Sequence, residues 1–433
     1  MAGAATAPAT TAGSAAAASE WPKGRRLAVL LIHLTIALLG TASTAKGVFF
    51  PSLVEAFHLS HAAGAALISV SGLVGAVVAC FAGWLMVKRV PADWVVVTIP
   101  LLSAAGYLIA SFANGYGQLL VGYILLGGTA VNLVAIAFLL TGWFSTRRGF
   151  ALALVYAGTT TGGVLLNPLL SYVVEGWGWR AGYQFLAATL LVLPLLLHLV
   201  LKGQGSAHDA ARHDEPGRTG LSIPRILLSR SFWLIVFVSA IFGANTGTYF
   251  VHFIALLEST GYTASQASWT MSQLFLLAAV AKLVFGYAGD RLDIRVALAI
   301  ALLMSAGGWL LLDRFESSQA ALYGFTLIFG LSYSGPLVLI PLLIANVFGK
   351  RSFALIDAGV SLIGLGIGGG LGPVLAGRVY DISGTYQPLY LYLSISLLAA
   401  AGAALLVRRQ EYSTTQEAAL PRPRLTLAGT VAR

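Results

Sequence analysis

The chain has 433 residues, of which 58% are hydrophobic and only 10% are charged. Soluble domains carry about 25% charged residues, so a soluble fold of this length is excluded, because it could not bury so much apolar surface. A bilayer solvates the apolar faces of helices whose backbone polar groups are paired internally. The mean hydropathy of +0.83 therefore indicates an integral membrane protein. The net charge of +10 does not indicate a nucleic-acid partner, because the basic residues are spread over loops and tails.

The first segment of the chain, 1–26, is predicted to be a disordered tail. Its first 19 residues carry no charge and are mostly Ala, Thr and Gly, so they do not resemble a secretory signal peptide with its basic leader. Lys23, Arg25 and Arg26 directly precede the first apolar run and are expected to hold this end in the cytoplasm. The single cysteine, Cys80, lies in an apolar segment and is expected to pack as a small hydrophobic residue.

Twelve runs of mainly apolar residues follow, each near the length of about 20 residues that a bilayer-spanning helix needs. They lie at 27–56, 63–87, 93–113, 117–142, 149–173, 181–201, 231–258, 265–289, 295–313, 319–347, 352–377 and 386–407. The pattern predicts an all-α integral membrane protein with twelve transmembrane helices.

The twelve runs divide into two groups of six. The division predicts an N-terminal six-helix bundle at 27–201, a central cytoplasmic loop at 202–230, a C-terminal six-helix bundle at 231–407 and a cytoplasmic tail at 408–433. With both termini in the cytoplasm, 21 of the 26 Lys and Arg residues fall on the cytoplasmic side and three on the other side. Cytoplasmic loops retain positive charge, so this orientation in a plasma membrane is the expected one.

An internal repeat relates the two groups. At an offset of 203 residues, the segment 147–152 matches the segment 350–355, and Gly83 falls on Gly286. Two separate matches at one offset indicate duplication. A parallel repeat of six helices is an arrangement of transporters that alternate access around a site near the membrane midplane, so we expect two pseudo-symmetric bundles with a site between them.

Several short motifs carry a resemblance to a known family. Around the fifth and sixth predicted helices they are Trp143-Phe144, Arg147-Arg148-Gly149, Ala157-Gly158, Asn167-Pro168-Leu169 and Trp177-Gly178-Trp179-Arg180. With these residues the chain resembles the major facilitator superfamily (MFS), and more narrowly its monocarboxylate and oxalate/formate branch. The resemblance covers nearly all of residues 27–407 and implies a transporter with the MFS fold.

The resemblance also implies a set of gating residues. The loop motif of the superfamily is kept in the second half as Gly286, Gly289, Asp290 and Arg291, whereas the first half, at 83–89, lacks the acidic residue. The predicted gating group consists of Gly286, Asp290, Arg291, Arg147 and Arg148.

Two lysines, Lys46 and Lys282, lie inside predicted spans. A charge there costs at least about 2.5 kcal/mol on insertion scales, so such residues are functional candidates, and their natural complement is an anion. The resemblance implies a carboxylate-binding cation, usually arginine, where Lys282 stands in the eighth helix, and a substrate-contacting lysine in the first helix, near Lys46. The alternative is that each lysine snorkels to the nearer membrane surface.

His252, in the seventh predicted helix, and Asp357, near the start of the eleventh, are candidates for proton coupling. Histidine has an ordinary pKa of about 6.5 and can bind protons in the physiological range. The alternatives are a hydrogen bond from His252 to a neighbouring helix, and a local ion pair of Asp357 with Lys350 or Arg351. The usual eighth-helix acid of the family would fall at Ala278 and is missing, so exchange and uniport stay open.

The sequence therefore predicts a secondary transporter for a small organic anion, a mono- or dicarboxylate, with Lys282 and Lys46 binding the carboxylate between the halves. Residues that combine apolar bulk with a polar tip are the candidate pocket walls: Tyr156, Tyr249, Tyr333, Asn132 and Asn245. The expected partners are the substrate and the bilayer, with no cofactor or metal, and the sequence is compatible with a monomer. A carrier or exporter of neutral or drug-like molecules is the alternative. An embedded enzyme or a sensor is disfavoured, because the sequence holds no catalytic cluster and no long soluble segment.

Overall fold

The computed structural model describes residues 23–87, 92–128, 148–202, 223–313, 318–349 and 353–408, and six single positions between 132 and 143. Most of the two predicted tails and most of the predicted central loop lie outside the described residues. We call 23–202 the N-terminal half and 223–408 the C-terminal half.

The regular structure of both halves is built from helices, as apolar surroundings require when the backbone must pair its own polar groups. The N-terminal half contains α1 (Lys23–Thr44), α2 (Lys46–Ala56), α3 (His61–Val87), α4 (Ala92–Ser111), α5 (Tyr116–Leu125), α6 (Arg148–Thr161) and α7 (Asn167–Leu201). The C-terminal half contains α8 (Ile223–Leu227), α9 (Arg230–Ser259), α10 (Ala264–Arg291), α11 (Ile294–Leu312), α12 (Gln319–Phe348), α13 (Phe353–Ser361), α14 (Gly369–Ser383) and α15 (Gln387–Leu406).

Successive membrane spans alternate in direction, so the ends of the helices lie at two levels. We call the end where α2, α9 and α14 finish and α3, α10 and α15 begin the outer end. At the opposite, inner end, the Nη1 atom of Arg25 donates to the backbone carbonyl of Trp143 at 3.0 Å, and Nη1 of Arg295 donates to the carbonyl of Val407 at 2.8 Å. Both chain termini of the described structure lie at this inner end.

In the described ranges, nine helices are long and apolar enough to cross a membrane, and ten if α1 and α2 form one bent span. One of the nine, Leu154–Leu201, is 48 residues long and includes two predicted spans. The fourth predicted span is described only as far as Gly128 and at single positions beyond it. The all-helical membrane class is confirmed, whereas the number twelve stays a prediction.

The first predicted span, 27–56, differs from the structure in two places. The helix already includes Lys23, inside the predicted tail, and Nη1 of Arg25 donates there to the carbonyl of Trp143. It is then interrupted at Ala45, and α2 continues from Lys46 at an angle of 41°. Hydropathy gives no sign of this break, since both sides of it are apolar.

Two π-helical segments occupy corresponding places in the two halves. One is Gly162–Leu166, between α6 and α7, and the other is Leu362–Gly368, between α13 and α14. The sequence offset of 203 carries 162–166 onto 365–369, which overlaps the second segment. Because π turns are rare and appear mostly as single interruptions of α-helices, their shared position is independent support for the internal repeat.

The fifth and sixth predicted spans meet at Gly178, inside α7. Its backbone torsions, φ 82° and ψ 165°, are not helical, and this region of torsion space is essentially restricted to glycine. A Gly178→Ala variant should therefore lose about 1–3 kcal/mol of stability. The measurement is thermal unfolding in detergent, with a clearly lower Tm expected.

Gly176→Ala is the matched control for that change, because a Cβ at Gly176 would meet no atom within 4 Å and its torsions are ordinary. The control should unfold at the same temperature as the unmodified chain. Equal Tm values for Gly178→Ala and the unmodified chain would contradict the strained turn.

Candidate substrate site between the halves

Lys282 lies on the face of α10 that meets the N-terminal half. Its side chain is half-buried, and its Nζ donates a long hydrogen bond of 3.4 Å to Oγ1 of Thr160 in α6. Among the described residues it forms no ion pair with an acid. The ammonium group is thus aimed across the interface between the halves, at a hydroxyl rather than at a carboxylate.

The N-terminal half presents a polar face to Lys282. Thr160 follows Tyr156 by one turn of α6, which places the two side chains on one face of the helix, and both are half-buried. The structure therefore brings Tyr156 into the neighbourhood of Lys282. Thr160 was not predicted as a site residue, because hydroxyl side chains are common in membrane helices and carry no signature of their own.

Lys46 is the first residue of α2, directly after the break in the first helix. A Cβ placed on Gly72 of α3 would lie 3.7 Å from its Nζ, so the ammonium group sits where α3 has no side chain. Lys46 is half-buried, and its ammonium group has no hydrogen bond or ion pair with any residue in the described part of the chain.

A polar contact between helices adjoins the break beside Lys46. Thr44 Oγ1 donates to Oδ1 of Asn167 at 3.2 Å, and Nδ2 of Asn167 points at Sδ of Met271 in α10 at 3.9 Å. Thr44 and Asn167 are buried, and losing Thr44 would leave Oδ1 of Asn167 without this donor. Asn167 thus connects the first helix of one half to the second helix of the other.

The two lysines lie at different depths. Lys46 is ten residues from the outer end of α2 at Ala56, and Lys282 is 18 residues from the outer end of α10 at Ala264. At 1.5 Å per residue these positions are about 15 Å and about 27 Å from the outer end, a separation of about 12 Å along the bundle.

An aromatic group lies near the depth of Lys46, on the outer side of Lys282. Phe250 of α9 is stacked with Phe275 of α10 at 5.8 Å and meets Tyr333 of α12 edge-on at 5.9 Å. A Cβ on Gly47 would lie 3.0 Å from the backbone oxygen of Phe250, and one on Gly163 would lie 2.7 Å from the ring of Phe275. Of the predicted walls, Tyr333 packs on Phe250 within the C-terminal half. The two phenylalanines were missed because apolar rings are ordinary in apolar spans.

Three predicted walls lie elsewhere in the described contacts. Tyr249 is 1% exposed and packs on Phe253 at 4.6 Å and Phe329 at 5.2 Å, inside the C-terminal half. Asn245 donates to Oγ of Ser396 in α15 at 3.1 Å, also within that half. Asn132 is buried, and its amide atoms have no hydrogen-bond partner in the described part of the chain. None of the three contacts Lys282 or Lys46 through these bonds.

His252 is 1% exposed and is hydrogen-bonded on both ring nitrogens. Its Nε2 lies 2.8 Å from the carbonyl oxygen of Pro373, which can only accept, so Nε2 carries the hydrogen. Its Nδ1 lies 3.0 Å from the hydroxyl of Tyr386. The Tyr386 hydroxyl can therefore donate to Nδ1 of a neutral His252.

The remaining candidates lie towards the inner end. Asp357 is half-buried, and its predicted partners Lys350 and Arg351 are outside the described residues. Asp290 is exposed, and the guanidinium of Arg291 stacks over the ring of Tyr287 at 4.6 Å. Gly286, one turn beyond Lys282, has no atom within 4 Å of an added Cβ.

The two arginines of the predicted gating group cannot be placed in the same way. Arg147 and the side chain of Arg148 fall outside the described residues. The structure therefore gives neither arginine a contact with Asp290 or Arg291.

Comparison with known proteins assigns this architecture. The sequence profile of the Major Facilitator Superfamily matches residues 32–258 and 246–430, which is most of the chain. The chain belongs to the Major Facilitator Superfamily. It is therefore a multi-pass membrane transporter and not an enzyme, and the predicted resemblance to this superfamily is confirmed.

Curated relatives of this MFS protein are transporters as well. Monocarboxylate transporter 13 of Bos taurus is 28% identical over 390 residues, covering 87% of each chain. Monocarboxylate transporter 11 of Homo sapiens is 29% identical over 385 residues, covering 81% of this chain and 76% of the relative. The probable sulfoacetate transporter SauU of Cupriavidus necator is 23% identical, covering 75% of this chain and 80% of the relative. The resemblance to the monocarboxylate branch is thus supported at modest identity.

Solved structures agree on the fold. A bacterial homolog of the human lysosomal transporter Spinster, in an inward-facing and occupied conformation, superposes with a TM-score of 0.73 at 16% identity, covering 89% of this chain and 97% of that chain. The nucleoside transporter NupG superposes with a TM-score of 0.70 at 15% identity, covering 87% of this chain and 99% of that chain. At these identities the likeness concerns the MFS fold alone.

Proposed function

We propose that this MFS protein moves a small organic anion, a mono- or dicarboxylate, across the plasma membrane by alternating access. The observation that carries the proposal is the ammonium group of Lys282, half-buried at the interface of the halves and bonded there to the Thr160 hydroxyl. A cation held in a low-dielectric path without an acidic partner among the described residues is best neutralised by an anionic ligand.

The geometry around Lys282 supports recognition of a carboxylate. Lysine contacts an anion as a point charge, with donors that turn freely, and Thr160 and Tyr156 add hydroxyl groups that can donate to the remaining carboxylate oxygen. The aromatic pair Phe250 and Phe275, on the outer side of this group, would receive the apolar part of the substrate. Relatives named for monocarboxylates and sulfoacetate, which are all small anions, favour the same substrate class.

Lys46 has a second place in the proposed mechanism. It lies about 12 Å outward of Lys282 along the helices and belongs to the other half of the protein. We propose that it receives the anion from the outer side before Lys282 does. His252 and Asp357 are the groups through which a proton would be coupled to this movement, and both termini are proposed to be cytoplasmic.

The proposed function is tested by uptake into proteoliposomes that contain the full chain. Labelled formate, lactate, oxalate and sulfoacetate are compared with neutral lactamide and uridine, with and without an imposed pH gradient. We expect saturable uptake of at least one of the anions and none of either neutral compound. A response to the pH gradient would assign proton coupling, and its absence would favour exchange or uniport.

The opposite selectivity would contradict the proposal. If lactamide or uridine is taken up and no anion competes with it, the protein is a carrier of neutral molecules, and Lys282 has a packing role. Empty liposomes prepared in the same way measure passive leakage, which matters for small acids because their protonated forms cross lipid unaided.

A further inference from the structure

The outer ends of the two halves are joined by carboxylates that cap helices of the opposite half. The first two amides of a helix have no partner within the helix, and such groups are usually satisfied by a residue just before it. At the start of α3, the backbone N–H groups of His61 and Ala62 instead donate to Oδ1 and Oδ2 of Asp381 in α14, at 2.8 and 3.0 Å. Asp381 lies 320 residues away from His61 in the sequence.

A matching contact occurs at the start of α10. Its own first turn is closed by a capping box, in which Thr263 Oγ1 accepts from the amide of Gln266 at 3.2 Å and the Gln266 side chain accepts from the amide of Thr263 at 3.0 Å. The amide of Ser265 is not used by this box. It donates to Oε1 of Glu175 in α7, at 2.6 Å, so the cap again comes from the opposite half.

The internal repeat relates these two contacts. The offset of 203 residues places Ala62 on Ser265, and both amides are capped by an acid of the other half. The acids lie on the repeat-related helices α14 and α7. Asp381 has the shorter side chain, and it stands about one turn beyond the position onto which the offset carries Glu175. Because both contacts follow the pseudo-symmetry of the fold, they form a pair and neither is an isolated surface contact.

The contact at Asp381 has further support from packing. Gly377, one turn before Asp381, approaches α3 so closely that a Cβ on it would lie 2.6 Å from the amide nitrogen of Ala62. The imidazole of His61 packs on the ring of Tyr380 at 4.0 Å, and its Nδ1 lies 3.5 Å from Oδ1 of Asp381. The two halves are therefore in backbone contact at this point, and the outer end is closed there.

We propose that Asp381 and Glu175 are positioning residues for transport, which hold the outer end of the protein closed by capping α3 and α10 across the interface. Each cap joins a negative carboxylate to the positive end of a helix dipole. Both partners lie at the exposed rim, where water can replace the bonds when the halves separate. The caps thus favour the closed arrangement while leaving it reversible. This inference rests on the alternating-access part of the proposed function and not on the substrate.

The test measures how accessible the closed interface is to water. Ser69 of α3 is 7% exposed and lies against α14. A Cβ added at Gly370 of α14 would be 3.9 Å from the Cβ of Ser69. Ser69→Cys is introduced into a Cys80→Ala chain, which removes the single natural cysteine. The rate of labelling by a water-soluble maleimide is then measured on the purified, monodisperse full chain in detergent.

We expect Asp381→Asn and Glu175→Gln each to raise the labelling rate of Ser69→Cys at least about fivefold. The double variant should raise it by more than either change alone, because both caps close one interface. Asp381→Glu, which keeps the charge, should remain near the rate of the parent chain. Thr263→Ala is the matched control, since it removes a cap of α10 that comes from its own half, and it should leave the rate unchanged.

Two outcomes would overturn the proposal. Unchanged labelling in both Asp381→Asn and Glu175→Gln would show that the caps do not hold the outer end closed. Equal acceleration in Thr263→Ala would show that helix stability alone is measured. No substrate is needed in this experiment, so a failure of carboxylate uptake and a failure of the caps are distinguishable. If Asp381→Asn does not yield folded protein, Glu175→Gln and Asp381→Glu decide the question.

Discussion

Lys282→Ala is expected to lower carboxylate uptake at low substrate concentration about 10- to 150-fold. A hydrogen bond to a charged group contributes about 1.5–3 kcal/mol, and each 1.4 kcal/mol changes an affinity about tenfold. The loss should appear mainly as a higher KM, because the lysine contributes binding energy and takes no part in a chemical step. Initial rates of uptake of the best anion into proteoliposomes provide the measurement.

Two further variants test whether the charge of Lys282 causes this loss. Lys282→Arg keeps the positive charge but changes its shape and its hydrogen-bonding geometry, so it should retain substantial uptake with an altered preference among the anions. Lys202→Ala is the matched control, because Lys202 is an exposed lysine at the inner end of α7. Full uptake by Lys282→Ala, at normal protein yield, would refute the anion site.

Gly377→Val is expected to reduce transport to less than about a tenth of the normal rate. The backbone atoms of His61 and Ala62 lie 2.6 Å from the position of its Cβ, a separation shorter than any normal contact, and backbone atoms of a capped helix cannot move aside as a flexible side chain can. The variant should bind substrate but fail to close its outer end. Uptake assays and the labelling of Ser69→Cys together test this prediction, with slow uptake and fast labelling expected.

A valine at Gly402 provides the comparison for Gly377→Val. Gly402 lies in α15, and an added Cβ there would meet no atom within 4 Å, so Gly402→Val introduces the same side chain into a membrane helix without a clash. It should transport normally. Normal transport by Gly377→Val as well would mean that the outer ends do not approach each other as closely during transport as they do in the structure.

The helices were predictable because a membrane span is a local property of about 20 residues. Lys282 was found for the same reason, since a charge stands out in an apolar run. The break at Ala45 and the torsions of Gly178 were not predicted, because each is a conformation of a single residue. The break adjoins a contact between helices, that of Thr44 with Asn167. Hydropathy averages over both features and does not register them.

The capping contacts at the outer end were also beyond a reading of the sequence. Glu175 and Asp381 stand two and four residues past the ends of the predicted spans 149–173 and 352–377, where an acid is ordinary. Nothing local pairs them with amides in the other half. The repeat offset relates Ala62 to Ser265, but every residue except proline has a backbone N–H group, so the sequence does not show which of them is capped. Such contacts need the packing of two helices that are far apart along the chain.

The separation of the two lysines has an electrical consequence. In the proposed mechanism, an anion that moves from the depth of Lys46 to that of Lys282 would travel about 12 Å along the helices. The hydrocarbon layer is about 30 Å thick, so this movement would cross about two-fifths of the membrane voltage. For one charge this step changes in energy by about 0.9 kcal/mol per 100 mV. The transfer between the lysines would therefore be a voltage-sensitive step, whose rate in one direction is raised by the same potential that slows its return.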